Sequence, residues 1–460
     1  MNQRALKKAA DYMHGWLQTL YEHDTIPGFV VAVAHKGKLV FNEAYGYANL
    51  EKKEKMTPQH IFRVASHSKT FTATAVMQLQ EQGSLRIDDQ ITDYLVWLKD
   101  HKDKRWQTVT IRQLLSHGAG VIRDGEKSDY WQLEYPFPDK TQLKKEILAC
   151  DLVIDNNTKL KYSNYGYSLL GMLIEKVSKE SYHDFVKRNI IKPLGLKNTG
   201  PEIDNQVEKR LVTGYSRKDF NGQRLPVTSV RTNGMAAATG FYATAEDLCT
   251  YFTAHSLGSG KLLNDESKKE MQKTHWTAEH THDKEEYGLG LDIDYINEHR
   301  LIGHGGGFPG NITKSYYDPE EQLAIILLTN ANGVKSGHLD SNIVKLLDYF
   351  NDNCAQSSRF EKYEGHNMDL WGIRDVLAIG NKLAVGWGAS WEPFANPDEL
   401  EHLKDNIFKI TKTTSWDSYG EQVKFELDRS GKVMSINFAG STLIPVKEYI
   451  DKSLKRGRIG

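Results

Sequence analysis

Residues 62–72 read FRVASHSKTFT, which sets Ser66 and Lys69 three positions apart where an apolar stretch begins a helix. One helical turn brings the two side chains onto the same face, where a lysine lowers the cost of turning a serine hydroxyl into an alkoxide. The competing reading of these four letters is a capping serine with a surface lysine. Two other segments weigh against it. KLKYSNYGYSLLGMLIEKV places Tyr162, Ser163 and Asn164 in a polar loop just before an apolar helical run that starts near Tyr165. HRLIGHGGGFPGN places His304, Gly305, Gly306 and Gly307 at the end of a short apolar segment, read as an edge strand, with the strand-like NITKSYYD and QLAIILLTN following. Tyr162 is a second candidate base, because a phenol beside two cations titrates below its usual value of about 10 and can pass a proton to a leaving group. Asn164 would position Lys69 and a substrate carbonyl. The glycine run lets strand backbone come close to a bound acyl group.

Ser-x-x-Lys, Tyr-x-Asn and His-x-Gly, in this order, resemble the penicillin-recognising serine hydrolases: class C β-lactamases, serine DD-peptidases, D-aminopeptidases and related esterases. The resemblance spans residues 20–345 and includes the linking phrases TIRQLLSHGAGV, FVKRNIIKPLGL, GFYATAEDL and YGLGLDI. It implies an acyl-enzyme route in which Ser66 attacks and Lys69 and Tyr162 move protons. His304 and the glycine strand would hold the acyl group, with the Ser66 and Gly307 amides as oxyanion hole. His304 itself departs from the β-lactamases and DD-peptidases, which carry a Lys-Thr-Gly triad there. A histidine, unperturbed near pKa 6.5 and pushed lower by cationic neighbours, is mostly neutral at pH 7. Anchoring of a substrate carboxylate is therefore not expected, and the pattern is more similar to the D-aminopeptidases and esterases. The expected activity is hydrolysis of small peptides or amides, including those with a D-residue or a free amino terminus. A carboxylesterase is the alternative, and a weak β-lactamase or a non-catalytic binding or scaffold member are further ones.

These residues need a scaffold, and 460 residues with 39% hydrophobic content supply enough for two cores. The expected fold is α+β over residues 1–350, followed by a small all-β domain over 351–460. GFVVAVAHKGKLVFNEAYGYAN reads as a hairpin about Lys36-Gly37 that joins the strands after His304. The family fold then gives a five-stranded-type antiparallel sheet with the Ser66 helix packed beneath and a helical half inserted. Residues 121–140, with Tyr130, Trp131, Tyr135 and Phe137, read either as a substrate-covering loop or as packing. Asp124, Glu126 and Asp129 in that loop are candidates to meet a substrate amine. After Cys354, period-two alternation around glycine turns predicts an antiparallel barrel resembling a lipocalin. Trp371, Trp387, Trp391 and Trp416 are assigned to its core.

A net charge of −1 provides no field to draw the chain to nucleic acid or an anionic membrane. Three widely spaced cysteines, Cys150, Cys249 and Cys354, fit a reducing compartment and buried thiols. The opening MNQRALKKAADYMHGWLQTLYEHD reads as an amphipathic helix without a signal-peptide stretch, so a cytoplasmic location is expected. His275, Glu279, His280 and His282 lack metal-site spacing, and no metal or cofactor is expected. The expected partner is a small-molecule or short-peptide substrate, with a homo-oligomer left open.

Overall fold

A computed structural model describes residues 1–23, 26–282, 284–334 and 336–455. The chain divides into two compact units, Ile26–Asp340, and Met1–Thr25 with Ser341–Gly460.

The first unit is α+β. GFVVAVAH is apolar throughout and forms β1 (Gly28–His35), buried at every residue as a strand covered on both faces must be. Lys36 and Gly37, both at positive φ, form the two-residue turn that matches hairpin twist, and the chain returns as β2 (Lys38–Asn49). β3 (Glu54–Lys55) extends that edge. Two short ladders stand apart from the main sheet: β4 (Phe62–Ala65) pairs with β7 (Phe241–Ala243), and β5 (Gly214–Tyr215) with β6 (Pro226–Val227).

β8 (Trp276–Thr277), β9 (Glu286–Tyr287), β10 (Asp292–Ile296), β11 (His299–Phe308), β12 (Asn311–Asp318) and β13 (Leu323–Thr329) follow. The sheet order is β3-β2-β1-β13-β12-β11-β10-β9-β8. Five long strands, β2, β1, β13, β12 and β11, carry it, with short strands at both flanks. The hairpin joins the late strands as expected, Phe29 opposite Thr329 and His35 opposite Leu323. β11 is not an edge strand, contrary to the sequence reading, because β10 pairs with it from His299 to Gly303. Beyond Gly303 the expectation holds locally: His304–Phe308 pair with β12 alone among the described residues. Beneath the sheet runs the Ser68–Glu81 helix, buried continuously from Ser68 to Leu79, against the Asn164–Ser178 helix. A helix buried on all sides runs through the centre of a core, and its buried Thr70, Thr72 and Thr74 hydroxyls are each hydrogen-bonded.

In the second unit, the Gln3–His23 helix buries Ala5, Leu6, Ala9, Met13, Trp16, Leu17 and Leu20 along one stripe. Its Tyr12 hydroxyl donates to Asp375 Oδ2 at 2.6 Å and its Trp16 Nε1 to the Ser390 carbonyl at 2.9 Å. The barrel strands are β14 (Gly365–Asp369), β15 (Gly372–Ile379), β16 (Lys382–Trp387), β17 (Asp398–Lys404), β18 (Ile407–Lys412), β19 (Gln422–Leu427), β20 (Val433–Phe438) and β21 (Ser441–Pro445). They close into an eight-stranded barrel where β14 meets β21. Val423 and Phe425 point inward while Gln422, Lys424 and Glu426 point out, the alternation expected of a half-buried strand.

The tryptophans are not the barrel core. Trp371 is 83% exposed, Trp387 45% and Trp416 95%. Phe360, Tyr363, Phe408 and Phe425 fill the interior instead. Trp371 lies in the β14–β15 turn and Trp416 in the β18–β19 loop, where the chain has left the alternating ladder that sends side chains inward. Cys150, Cys249 and Cys354 are free and buried. Among the described residues no helix is long and apolar enough to cross a membrane.

Candidate active site

β4 ends at Ala65, whose φ of 45° lies in the left-handed region that a residue with a Cβ occupies only under strain. The chain turns through Ser66 and His67, and the helix starts at Ser68, so Ser66 sits in the turn just ahead of the helix and Lys69 in its first turn. Ser66 is half-buried and Lys69 fully buried. Lys69 Nζ has three oxygen neighbours: Ser66 Oγ at 3.1 Å, Asn164 Oδ1 at 2.8 Å and the Ala238 carbonyl at 2.9 Å. Burial lowers its pKa to about 7, with Asp124 and Asp292 pulling the other way. Asn164 Oδ1 and the Ala238 carbonyl only accept, so the two N–H bonds of a neutral amine go to them. The lone pair is then left for the Ser66 hydroxyl.

The Tyr162 hydroxyl donates to Ser66 Oγ at 2.8 Å. Its pKa is not lowered, as the sequence suggested, but raised: burial outweighs the Ser66 hydrogen bond and the Arg123 charge, while Asp292 and Asp124 push in the same direction as burial. Lys69 is too nearly discharged to act as the strong cation that reading assumed. Tyr162 is therefore a neutral phenol at rest, equipped to donate. Its ring lies 4.3 Å from that of His117, which is buried, accepts from the Ser163 amide through Nδ1, and also contacts Tyr167 and Tyr287.

Asn164 starts a helix capped by Ser163, whose Oγ accepts from the Gly166 amide. Asn164 Nδ2 donates to Asp124 Oδ1 at 2.7 Å, which fixes the amide so that Oδ1 faces Lys69. Asp124 also pairs with Arg123 at 3.0 Å. Of the three acids suggested for a substrate amine, Asp124 is thus committed to Asn164, while Glu126 and Asp129 are exposed. The 121–140 loop packs on the unit: Tyr130 and Phe137 are buried, and Trp131 and Phe137 lie against Phe308 at the end of β11.

His304 is buried on β11. Its Nδ1 lies 2.6 Å from the Gly305 carbonyl, which only accepts, so Nδ1 carries the proton. Nε2 then accepts from the Tyr287 hydroxyl at 3.1 Å. Burial lowers the His304 pKa despite Asp292, which agrees with a neutral ring at pH 7. The Gly305 amide turns away from β12 to Asp292 Oδ2 at 2.9 Å. Period two then points the Gly307 amide to the same open side. The three glycines differ in surroundings. A Cβ on Gly306 would meet the Val64 carbonyl and Thr313 Oγ1, both at 2.3 Å, whereas one on Gly305 or Gly307 would meet nothing closer than 3.8 Å or 3.7 Å. Gly306 is therefore required for β11 to lie against the Ser66 segment, and the other two have room for a Cβ on the opposite face of the strand.

Ser66, Lys69, Tyr162 and Asn164 form one hydrogen-bonded group. His304 lies beside this group: its Nε2 is held by Tyr287, whose ring packs on His117 and, through it, near Tyr162. Sequence reasoning missed Asp292, His67 and Tyr287. Buried His67, held neutral with a pKa of about 3 by burial, donates from Nδ1 to the Val64 carbonyl, so its Nε2 takes the Ser315 hydroxyl proton, and Ser315 Oγ in turn accepts from the His304 amide. Asp292 and Tyr287 lie in YGLGLDI, seen only as linking text. Among the described residues no group of three or more His, Cys, Asp or Glu is arranged to hold a metal ion.

The family model described as Beta-lactamase matches residues 13–348. Penicillin-binding protein 4* of Bacillus subtilis (strain 168) is 27% identical over 334 residues, 68% of this chain and 70% of that protein. The octameric penicillin-binding protein homologue from Pyrococcus abyssi superposes with a TM-score of 0.65 at 23% identity, covering 94% of this chain and 99% of that one. The D-amino acid amidase from Ochrobactrum anthropi SV3 gives 0.64 at 23% identity, covering 75% and 99%.

Proposed function

Because this chain belongs to the beta-lactamase family, a family of serine hydrolases, we propose that it hydrolyses small amides and peptides through an acyl-enzyme on Ser66. The observation that carries the reading is the placement of a lysine of pKa about 7 at 3.1 Å from Ser66 Oγ, with its other two neighbours obligate acceptors. Neutral Lys69 takes the Ser66 proton as Oγ attacks the carbonyl carbon. The Ser66 and Gly307 amides receive the oxyanion, a contribution worth roughly 3 to 4 kcal/mol per donor in related chemistry. The Tyr162 phenol protonates the leaving amine and recovers its proton from the Lys69 ammonium. Water releases the acyl group by the same steps in reverse.

A neutral His304 supports amides over carboxylate-bearing lactams, since the strand offers no fixed cation at that position. Esters form the same acyl-enzyme and are the second substrate class. A homo-oligomer is part of this reading, supported by the octameric relative from Pyrococcus abyssi. The test is labelling with a fluorophosphonate, read by intact mass, followed by hydrolysis of a D-alanyl amide and a short ester. One adduct on the wild type and none on Ser66→Ala is the expected result, with the amide turned over faster. Equal labelling of the two proteins, or none of either, overturns it.

A further inference from the structure

The carboxylate of Asp292 sits on the cleft side of β11 and has no part in the proton transfers. Its Oδ2 accepts from the Gly305 amide at 2.9 Å and lies 3.5 Å from Lys314 Nζ. Its Oδ1 lies 3.7 Å from His304 Nε2. That nitrogen presents a lone pair, since Nδ1 holds the His304 proton and Nε2 accepts from Tyr287. Oδ1 thus faces no donor among the described residues. The Asp292 side chain is 28% exposed, so it is not sealed beneath the strand.

The charges around it leave this end of the cleft negative. Lys314 is shared between Asp292 and Asp294, the latter at 2.8 Å. Burial holds His304 and His67 neutral, and Lys69 is close to half-charged at pH 7. Burial also works against the charge of Asp292, yet its pKa stays below the ordinary value, with Lys314 and the Gly305 amide holding the charged form. One lysine therefore faces two carboxylates.

We infer that Asp292 receives an ammonium group of the substrate, so that the cleft selects amides and esters carrying a positive charge a few bonds from the scissile carbonyl. Gly305, which holds Asp292, is two residues along the strand from Gly307, about 7 Å. A carbonyl oxygen at the Gly307 amide and a nitrogen one hydrogen bond from Asp292 Oδ1, about 3 Å, fit within that span. The inference rests on the hydrolase reading and deepens it by naming the substrate charge.

Two substrate pairs test it. D-alanine amide against its N-acetyl derivative places the charge on the acyl side. A butyrate ester with a dimethylammonio group on its alcohol against butyl butyrate places it on the leaving group. In at least one pair the wild type is expected to favour the cationic member in kcat/KM by about tenfold or more at low salt. Asp292→Asn is expected to bring that ratio near one. Because the readout is a ratio within each protein, a general loss of activity does not imitate the effect. A wild-type ratio at or below one in both pairs, or a ratio unchanged in Asp292→Asn, overturns the inference while turnover of the neutral members leaves the hydrolase reading standing. No turnover of any member, together with no phosphonate adduct on Ser66, removes both.

Discussion

Lys69 Nζ stands 3.1 Å from Ser66 Oγ at a site where burial has brought the lysine to a pKa of about 7. The sign of the resulting pH dependence is fixed. Above about 7 the amine has its lone pair and can take the Ser66 proton; below it the ammonium cannot. His304, whose pKa is lowered from its ordinary value, is already neutral across that range and adds no second rise. The kcat/KM for a neutral ester is expected to climb with single-proton slope through about pH 7 and then level off. Lys69→Arg, which stays charged, should lose the activity at every pH. A profile flat from pH 5 to 9 would count against Lys69 as base.

Asp124 is expected to act on catalysis through Asn164. Without it, Asn164 Nδ2 loses its 2.7 Å acceptor and the amide is free to turn Oδ1 away from Lys69. Asp124→Ala is expected to lower kcat by about a hundredfold, the scale on which misplacement of a reacting group by about 1 Å is felt, with little change in KM. Steady-state kinetics at pH 8 checks this, and an unchanged kcat would show that Asn164 keeps its orientation by other means.

The glycines of β11 should separate by experiment. Gly306→Ala forces a Cβ to 2.3 Å from the Val64 carbonyl and is expected to destabilise the chain by roughly 1 to 3 kcal/mol, the cost of overpacking. Gly307→Ala meets only Ile312 Cδ1 at 3.7 Å and keeps its amide, so its thermal midpoint should stay near that of the wild type. Thermal melts of the two variants side by side decide it; equal midpoints would contradict the packing described for Gly306.

In the barrel, the exposed tryptophans are expected to be dispensable for folding. Trp371→Phe and Trp416→Phe should each shift stability by no more than about 0.5 kcal/mol, as surface substitutions do. Phe408→Ala, at the centre of the ring cluster, should cost about 3 to 5 kcal/mol. Denaturant midpoints for the three variants provide the comparison.

Much of this was legible in the chain because it is local. The Lys36-Gly37 turn, the inward alternation of Val423 and Phe425, and the helix stripe from Leu6 to Leu20 are each set by neighbours within a few residues. The three motifs also singled out Ser66, Lys69, Tyr162, Asn164 and His304, and the structure brings the first four into one hydrogen-bonded group. What remained hidden depends on contacts distant in sequence. Asp124 reaches Asn164 across 40 positions, and Asp292 meets Gly305 only after β10 and β11 pair. The direction of the Tyr162 shift turned on burial, and no spacing of letters reports how much water a phenol keeps. Trp371 and Trp416 misled for a related reason: composition counts aromatic residues but does not separate a ladder position from a turn.

The central claim is that Ser66 carries the acyl group, and trapping that intermediate tests it most directly. The protein is mixed with p-nitrophenyl acetate and quenched in acid within the first turnover. Its mass is then measured intact and after digestion. A single acetyl adduct confined to the peptide containing Ser66, formed with a burst of one nitrophenol per chain and absent from Ser66→Ala, is the predicted result. Steady hydrolysis with no adduct on Ser66, or an adduct that persists in Ser66→Ala, would contradict the account.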